Sequence, residues 1–203
     1  MIMGKEQSAS YYDAIYSKSK EYEKPWYESR YLRVWQRMIQ KFDPDKMVID
    51  LGCGVGQTAG LLYSEGFTAY FGIDFSEEAI AKARINREKA GIDECRYAFR
   101  SQDLFDWIKN HEIGDDPILS NQFFCSETLE HISDDTGLLR LLAQKFPASR
   151  IAISVPTFDD PSHVRVFKSV LEAKERYKPF IDIDDSSQIG PWIILQGKLA
   201  NQL

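Results

Sequence analysis

The segment Met47-Val-Ile-Asp-Leu-Gly-Cys-Gly-Val-Gly-Gln-Thr-Ala59 predicts a short strand, a glycine-rich turn and the start of a helix. Apolar residues 47–49 form the buried strand, and Asp50 stands at its end. Glycine permits tight turns and close approach of a ligand to the backbone, and three glycines alternate here: Gly52, Gly54 and Gly56. Unpaired N–H groups at the helix start near Gln57 add favourable polarity. We therefore expect a nucleotide-type cofactor site at the carboxyl end of a parallel sheet.

The spacing of the glycines distinguishes between cofactors. In the dinucleotide pattern G-x-G-x-x-G the third glycine comes three positions after the second, but Gly56 comes only two after Gly54. The loop has no Lys followed by Ser or Thr, so a phosphate-binding P-loop is not supported. The pattern D-L-G-C-G-V-G instead resembles the first motif of class I S-adenosylmethionine-dependent methyltransferases. The resemblance implies that this loop wraps the methionine end of S-adenosylmethionine and that Asp50 helps to hold its ammonium group. A tight turn that binds no ligand is the simpler alternative.

Length and composition are those of one ordinary globular domain. The chain has 203 residues, of which 43% are hydrophobic and 28% charged. Its formal net charge of −6 provides no general basic surface for nucleic acid, and no apolar run approaches a membrane span of about 20 residues. The widely spaced cysteines, Cys53, Cys95 and Cys125, predict free thiols, and no signal peptide is found. We expect a cytoplasmic protein with a small-molecule acceptor and neither a membrane nor a nucleic-acid partner.

A tyrosine-rich segment, residues 1–45, precedes the first strand and predicts a helical arm or cap. Between residues 26 and 42 the apolar positions recur at steps of three and four, which predicts an amphipathic helix ending at Asp43-Pro44. An earlier helical turn would carry Tyr12 and Tyr16. In methyltransferases that resemble this chain, such an arm covers the cofactor and shapes the acceptor pocket, so both tyrosines are candidate substrate contacts. Packing on the sheet is the alternative.

The second strand, 69–73, ends at Asp74, which lies 20 residues beyond Gly54. This separation is expected for a carboxylate that accepts hydrogen bonds from both ribose hydroxyls. Phe75 could lie against the adenine ring. After the third strand, about 95–99, the resemblance implies that Asp103 accepts from the adenine amino group beside the apolar Leu104. Asp103 could equally cap the helix that follows it.

The segment Ser126-Glu-Thr-Leu-Glu-His131 follows the fourth strand, 118–125, and resembles the E-V-L-E-H segment of ubiquinone-type and related methyltransferases. In those enzymes the segment faces the transferring methyl group, which makes Ser126 a cofactor-side candidate. Glu127, Glu130 and His131 have helical spacing, so one turn would place them on a common face as catalytic candidates.

A fifth strand, 150–155, leads into a V-P…H-V-R-x-F stretch that resembles the far wall of the acceptor pocket in several small-molecule methyltransferases. His163 is therefore a catalytic candidate and Arg165 a substrate-binding one, with an ordinary polar loop as the alternative. A helix and two closing strands, 180–184 and 192–199, complete the pattern. The order of elements resembles the methyltransferase fold: α/β, Rossmann-like, a seven-stranded, mostly parallel sheet with helices on both faces and an antiparallel last strand. Residues 46–203 would form this domain.

The distribution of histidines favours methylation of a hydroxyl group. A hydroxyl must lose its proton, and histidine titrates near neutrality. His131 and His163 fall on the expected active edge, as base or orienting group, whereas His111 lies in a remote loop. An amine acceptor, which needs little more than positioning, and the terminal ribose of an RNA are the alternatives.

Carboxylates and imidazoles are also ligands for divalent cations. Some relatives with an E-x-x-E-H segment use such an ion, so Glu127, Glu130, His131 and His163 are candidate metal ligands, although a metal is not expected. A cofactor-binding regulatory subunit without catalysis is the alternative from another class. An NAD-dependent oxidoreductase is disfavoured by the glycine spacing.

Overall fold

The computed structural model describes residues 4–110 and 122–201. One sheet has the strand order β3-β2-β1-β4-β5-β7-β6. Its strands are β1 Val48–Leu51, β2 Tyr70–Asp74, β3 Tyr97–Ser101, β4 Gln122–Ser126, β5 Arg150–Pro156, β6 Ile181–Ile189 and β7 Trp192–Leu199. The first five strands pair in parallel, whereas β7 is antiparallel to both β5 and β6. The expected fold class is confirmed.

Helices cover both faces of the sheet. They are α1 Ala9–Lys18, α2 Leu32–Met38, α3 Gln57–Ser64, α4 Glu77–Lys89, α5 Leu104–Asn110, α6 Asp135–Lys145 and α7 Val170–Tyr177. Because successive strand side chains point to opposite faces, the central strands serve two cores. In β4, Phe123 and Cys125 pack with α5, α6 and α7, whereas Phe124 packs with α2, α3 and α4. Strands buried on both faces explain the apolar runs in the sequence.

The strand order places a crevice above the centre of the sheet. Strands β1, β2 and β3 extend to one side, and β4 and β5 extend to the other. The direction of winding therefore reverses between β1 and β4, and the carboxyl ends of these neighbours diverge there. The glycine-rich loop after β1 and the segment after β4 meet at this point.

The N-terminal region differs from the expected single helix over residues 26–42. A 3-10 turn spans Trp26–Glu28, Ser29 has extended backbone (ψ 138°), and α2 covers only Leu32–Met38. The hydroxyl of Ser29 accepts a hydrogen bond from the N–H of Tyr31, which competes with continued helix at this position. The expected apolar face is nevertheless buried, and its residues are Val34, Trp35, Met38, Ile39 and Phe42.

The closing strand β6 is longer than expected: it continues through the polar residues 185–187 to Ile189, beyond the expected end at residue 184. Two aspartates are accommodated there because cations from neighbouring elements pair with them: Lys41 and Arg150 with Asp184, and Arg37 with Asp185. Of the expected fourth strand, residues 118–121 lie outside the described residues, as does His111. No helix in the described part of the chain is long and apolar enough to cross a bilayer.

Candidate functional site

A small cavity of about 90 Å³ lies against the glycine-rich loop. It is lined by Gly52 and Gly54 from the loop, Asp50 from β1 and Ser126 from the end of β4. Gly54 has φ +52°, and a Cβ there would lie 3.2 Å from the hydroxyl oxygen of Tyr16. The loop therefore exposes bare backbone to this cavity, as a closely approaching ligand requires.

Asp50 is 1% exposed, and its carboxylate accepts a 2.6 Å hydrogen bond from the hydroxyl of Tyr70. Burial raises the pKa of this carboxyl to about 7. A cation beside Asp50 would favour the ionised form, so the group is suited to a positively charged ligand. Ser126, on the other side, accepts from the indole N–H of Trp35 and shares a hydrogen bond with Ser154.

A second cavity, of about 450 Å³, adjoins the first and shares Gly52 and Glu127 with it. Asp74, at the end of β2, accepts from the N–H of Gly54 and from the N–H of Ser76, each at 2.9 Å. Asp74 is 5% exposed, and burial raises its pKa to about 6. Phe75 follows it and is 37% exposed at the cavity wall.

Asp103 and Leu104 line the same cavity where α5 begins. The carboxylate of Asp103 accepts from the N–H of Asp106, so it also caps the helix, as the alternative reading allowed. Gly56, by contrast, lines neither cavity. It precedes α3 with φ +73°, and a Cβ would come within 2.9–3.0 Å of Phe99 and Ala83, so close packing is what requires glycine there.

The segment after β4 does not place its three charged residues on one helical face. Glu127 has a left-handed backbone (φ 52°), and the 3-10 turn Leu129–His131 begins only afterwards. The Glu127 carboxylate accepts from Ser154 Oγ at 2.9 Å and from Trp192 Nε1 at 2.8 Å. Burial raises its pKa to about 7. Glu127 therefore lies between the two cavities, apart from Glu130 and His131.

Glu130, His131 and His163 form a compact cluster in the larger cavity, with candidate ligand atoms all within 4.8 Å of one another. His131 Nδ1 lies 3.0 Å from the carbonyl of Ser162, and His163 Nδ1 lies 3.2 Å from that of Phe158. Because a carbonyl can only accept, both Nδ1 atoms donate, which leaves Nε2 as the remaining ring nitrogen of each histidine. Burial lowers the pKa of His131 to about 4, which keeps it neutral.

Glu130 is fully buried, and neither carboxylate oxygen has a hydrogen-bond partner among the described residues. Burial raises its pKa well above the usual range. A buried acceptor without a partner calls for an explanation such as a bound proton, metal ion or ligand.

Arg165, expected at the substrate, does not line the cavity. Its guanidinium donates to the carbonyls of Leu129 and Ser133 and lies 3.3 Å from the carboxylate of Asp135. These partners hold it behind the turn that carries Glu130 and His131, so it supports that turn. Tyr12 and Tyr16, in contrast, both line the cavity.

Several cavity residues gave no signal in the sequence. Arg30, Phe158 and Asp160 line the larger cavity, and Trp192 reaches Glu127 from β7. Arg30 donates to the Tyr31 hydroxyl at 2.6 Å and is the single Lys or Arg among the described residues lining either cavity. Phe158 and Asp160 lie within the V-P…H-V-R-x-F stretch but at positions its pattern leaves open, and Arg30 and Trp192 stand in no motif.

Residues 42–193 match the family described as Methyltransferase domain. The chain belongs to this methyltransferase family. Membership confirms the expected enzyme class and, at the level of the family, S-adenosylmethionine as the expected cofactor. The residues around the two cavities fit that group, since bare glycine backbone and Asp50 line the small cavity and the acids Asp74 and Asp103 line the larger one that adjoins it.

The methyltransferase domain resembles other proteins of the fold. An uncharacterized protein of Methanocaldococcus jannaschii is 35% identical over 72 residues, which span 36% of this chain and 33% of that protein. A SAM-dependent methyltransferase from Aquifex aeolicus aligns with TM-score 0.67 and 15% identity over 96% of this chain and 100% of that one. The [4+2]-cyclase SpnF aligns with TM-score 0.73 and 12% identity over 98% and 100%. These structures share the fold with this chain.

Proposed function

We propose that the protein transfers the methyl group of S-adenosylmethionine to a hydroxyl group of a small molecule. The observation that carries this proposal is the pair of adjoining cavities, one against the glycine loop and one lined by two histidines whose Nδ1 atoms are held by backbone carbonyls. S-adenosylmethionine supplies an electrophilic methyl group when bound, and the protein must align the acceptor and receive its proton.

The residues on the cofactor side have distinct proposed roles. The glycine loop and Asp50, with Ser126, would hold the methionine end, and Asp74 would accept from the ribose hydroxyls. Asp103, with Leu104 and Phe75, would hold the adenine. Each of these cofactor-side residues lines one of the two cavities, except Gly56 of the glycine loop. Arg30 would bind the carboxylate of the methionine, since the described lining offers no other permanent cation.

On the acceptor side, His131 and His163 would accept hydrogen bonds from the acceptor through Nε2. A pKa of about 4 makes His131 better suited to orienting a hydroxyl than to removing its proton at neutral pH. Glu127 lies at the boundary of the cavities, and its pKa of about 7 suits a general base. The arm, residues 1–45, would close over the catalytic domain, residues 46–203, by bringing Tyr12 and Tyr16 to the acceptor.

A divalent metal bound by Glu130, His131 and His163 is a second candidate for activating the hydroxyl. Two imidazoles with Nδ1 fixed by backbone carbonyls, and a carboxylate without another partner, form a suitable ligand set. Glu127 is not part of it, because Trp192 and Ser154 bind its carboxylate. If a metal acts here, EDTA should lower both turnover and melting temperature, and Mg²⁺, Mn²⁺ or Zn²⁺ should restore them. Unchanged values in EDTA would remove this candidate.

The proposed function is tested first by cofactor binding. S-adenosylhomocysteine should raise the melting temperature, while NAD should not, since only a ligand that binds the folded state stabilises it. Methyl transfer would then be followed with hydroxyl and amine acceptors. A chain that binds S-adenosylhomocysteine but methylates nothing in a broad screen would favour a regulatory subunit. The SpnF neighbour is a reminder that this fold can serve other chemistry.

A further inference from the structure

The larger cavity is rich in carboxyl groups. Seven carboxyl side chains and one guanidinium, Arg30, stand among its described lining residues. Asp74 and Asp103 are accounted for by the proposed cofactor contacts. Glu6 accepts from the backbone of Ser133, and Glu21 pairs with Lys24. Glu127, Glu130 and Asp160 remain on the side away from the adenine contacts.

Two of these three line only the larger cavity. Glu130 and Asp160 come from the loops after β4 and β5, whereas Glu127 also borders the small cavity at the glycine loop. If the methionine end occupies the small cavity, as proposed, its positive charges would lie nearest to Asp50 and Glu127 and would not account for Glu130 and Asp160. Glu130 is completely buried with both oxygens unpartnered among the described residues, which is costly unless a positive group or a proton reaches it.

Asp160 is held in place by its neighbours. Both of its hydrogen bonds, from the N–H and the hydroxyl of Ser162, fall on Oδ1, at 2.9 and 2.6 Å. Burial alone would raise the pKa of Asp160, but these bonds keep it below the usual value. Oδ2 has no hydrogen bond to the described residues, so it can receive one from a ligand.

Aromatic rings surround these carboxylates. Ring centroids lie 5.6 Å apart for Tyr12 and His131, 5.0 Å for His131 and His163, and 5.6 Å for His163 and Phe158. All four rings line the larger cavity. Aromatic faces attract cations, and a flat ring packs well among them. An anionic acceptor would instead meet the Asp160 carboxylate, and Arg30 is the single Lys or Arg among the described lining residues.

We propose that the acceptor is a small aromatic hydroxyl compound that carries an ammonium group, which Asp160 recognises beside the buried side chain of Glu130. This inference rests on the proposed function, since it names the acceptor class for that site. His131 and His163 remain free to orient the hydroxyl. Polyanions such as RNA are excluded as acceptors by the same charges, because their phosphates would face the carboxylates.

Three para-substituted phenols of similar shape test the proposal. Tyramine carries a positive charge, p-cresol carries no charge, and 4-hydroxyphenylacetate carries a negative charge. Binding is measured by calorimetry with saturating S-adenosylhomocysteine, with and without EDTA. We expect tyramine to bind at least about tenfold more tightly than p-cresol, and 4-hydroxyphenylacetate most weakly. A preference for tyramine that persists in EDTA comes from the carboxylates rather than from a metal.

Variants at two neighbouring positions test whether Asp160 recognises the ammonium group. Asp160→Asn should reduce the ratio of tyramine to p-cresol affinity towards one, without altering the affinity for S-adenosylhomocysteine. Asp159→Asn, an equal charge change at an exposed neighbour that lines neither of the two cavities, should leave the ratio unchanged. Asp160 is only partly buried, so its variant should fold.

Other results would overturn the proposal. Equal affinities, tightest binding of 4-hydroxyphenylacetate, or no binding by any of the three would each do so. Failure of S-adenosylhomocysteine to bind would be a different result, because it would contradict the proposed function itself. The three phenols can then still be compared on the protein alone.

Discussion

The carboxylate of Asp74 accepts a 2.9 Å hydrogen bond from the backbone N–H of Gly54, 20 residues earlier in the chain. This bond joins the end of β2 to the glycine loop after β1, so the two elements that would hold the ribose and the methionine are fixed relative to each other. The second oxygen of Asp74 accepts from Ser76 at the start of α4. One buried carboxylate thus organises three chain segments.

Asp74→Asn should weaken S-adenosylhomocysteine binding by about 10- to 100-fold, because hydrogen bonds to a charged group are worth about 1.5–3 kcal/mol. Calorimetry at pH 8 measures this, since the carboxyl is ionised above its pKa of about 6. Asp159→Asn is the exposed control and should bind normally. Wild-type affinity in Asp74→Asn would contradict the assignment of the ribose contact.

Gly52→Ala should be destabilising for two reasons that a control can separate. Gly52 has φ +80°, and a Cβ would lie 2.4 Å from Thr128 Oγ1. Gly66 has φ +83°, and a Cβ there would have no other atom within 4 Å, so Gly66→Ala introduces only backbone strain. We expect Gly66→Ala to cost about 1 kcal/mol and Gly52→Ala about 1–3 kcal/mol more. Urea unfolding measures both values, and equal losses would show that Thr128 moves aside freely.

Glu127 predicts a pH dependence of the reaction. If its carboxylate takes the acceptor proton, kcat/KM should rise as pH increases through about 7, where the raised pKa of this group loses its proton. Glu127→Gln should remove this rise and lower the rate by about 100-fold or more. Glu175→Gln, at an exposed ion pair with Lys178, should keep the wild-type profile. A rise near pH 7 that survives in Glu127→Gln would assign the base to another residue.

Arg165→Met should affect the reaction without removing a substrate contact. Both Arg165 and Arg176 pair with the buried Asp135, but only Arg165 donates to the carbonyls of Leu129 and Ser133. Arg165→Met and Arg176→Met should each lower the free energy of unfolding by about 1–3 kcal/mol. Only Arg165→Met should also lower kcat, with little change in KM for the acceptor, because Glu130 and His131 lose their support. A raised KM with a normal kcat would instead indicate that Arg165 contacts the substrate, as the sequence predicted.

Local sequence signals were sufficient for the central elements. The apolar runs, the alternating glycines and Asp74 all follow from short-range physics, namely side-chain alternation, backbone freedom at glycine and the end of a strand. The sequence also allowed both positions that Asp103 takes in the structure, as a cavity residue and as a helix cap. The helix over 26–42 was wrong in length, because the hydroxyl of Ser29 competes for the backbone.

Other residues could be assigned only after assembly. Gly56 has the same local geometry as a loop glycine but packs against Phe99 and Ala83. Strand β6 continues through residues 185–187 because cations distant in sequence neutralise Asp184 and Asp185. Helical spacing suggested a common face for Glu127 and Glu130, but a left-handed residue at position 127 separates them.

The amino-acid sequence by itself determined the sheet, its helices and the location of the cofactor loop, since those depend on periodic burial and on glycine positions that neighbours along the chain reveal. The tertiary structure alone decided which polar side chains face the cavity. Arg165 donates to backbone carbonyls, and Glu127 accepts from Trp192. Arg30 and Asp160 line the larger cavity. The direction of a charged side chain depends on the partners that offset its desolvation, and those partners come from distant parts of the chain.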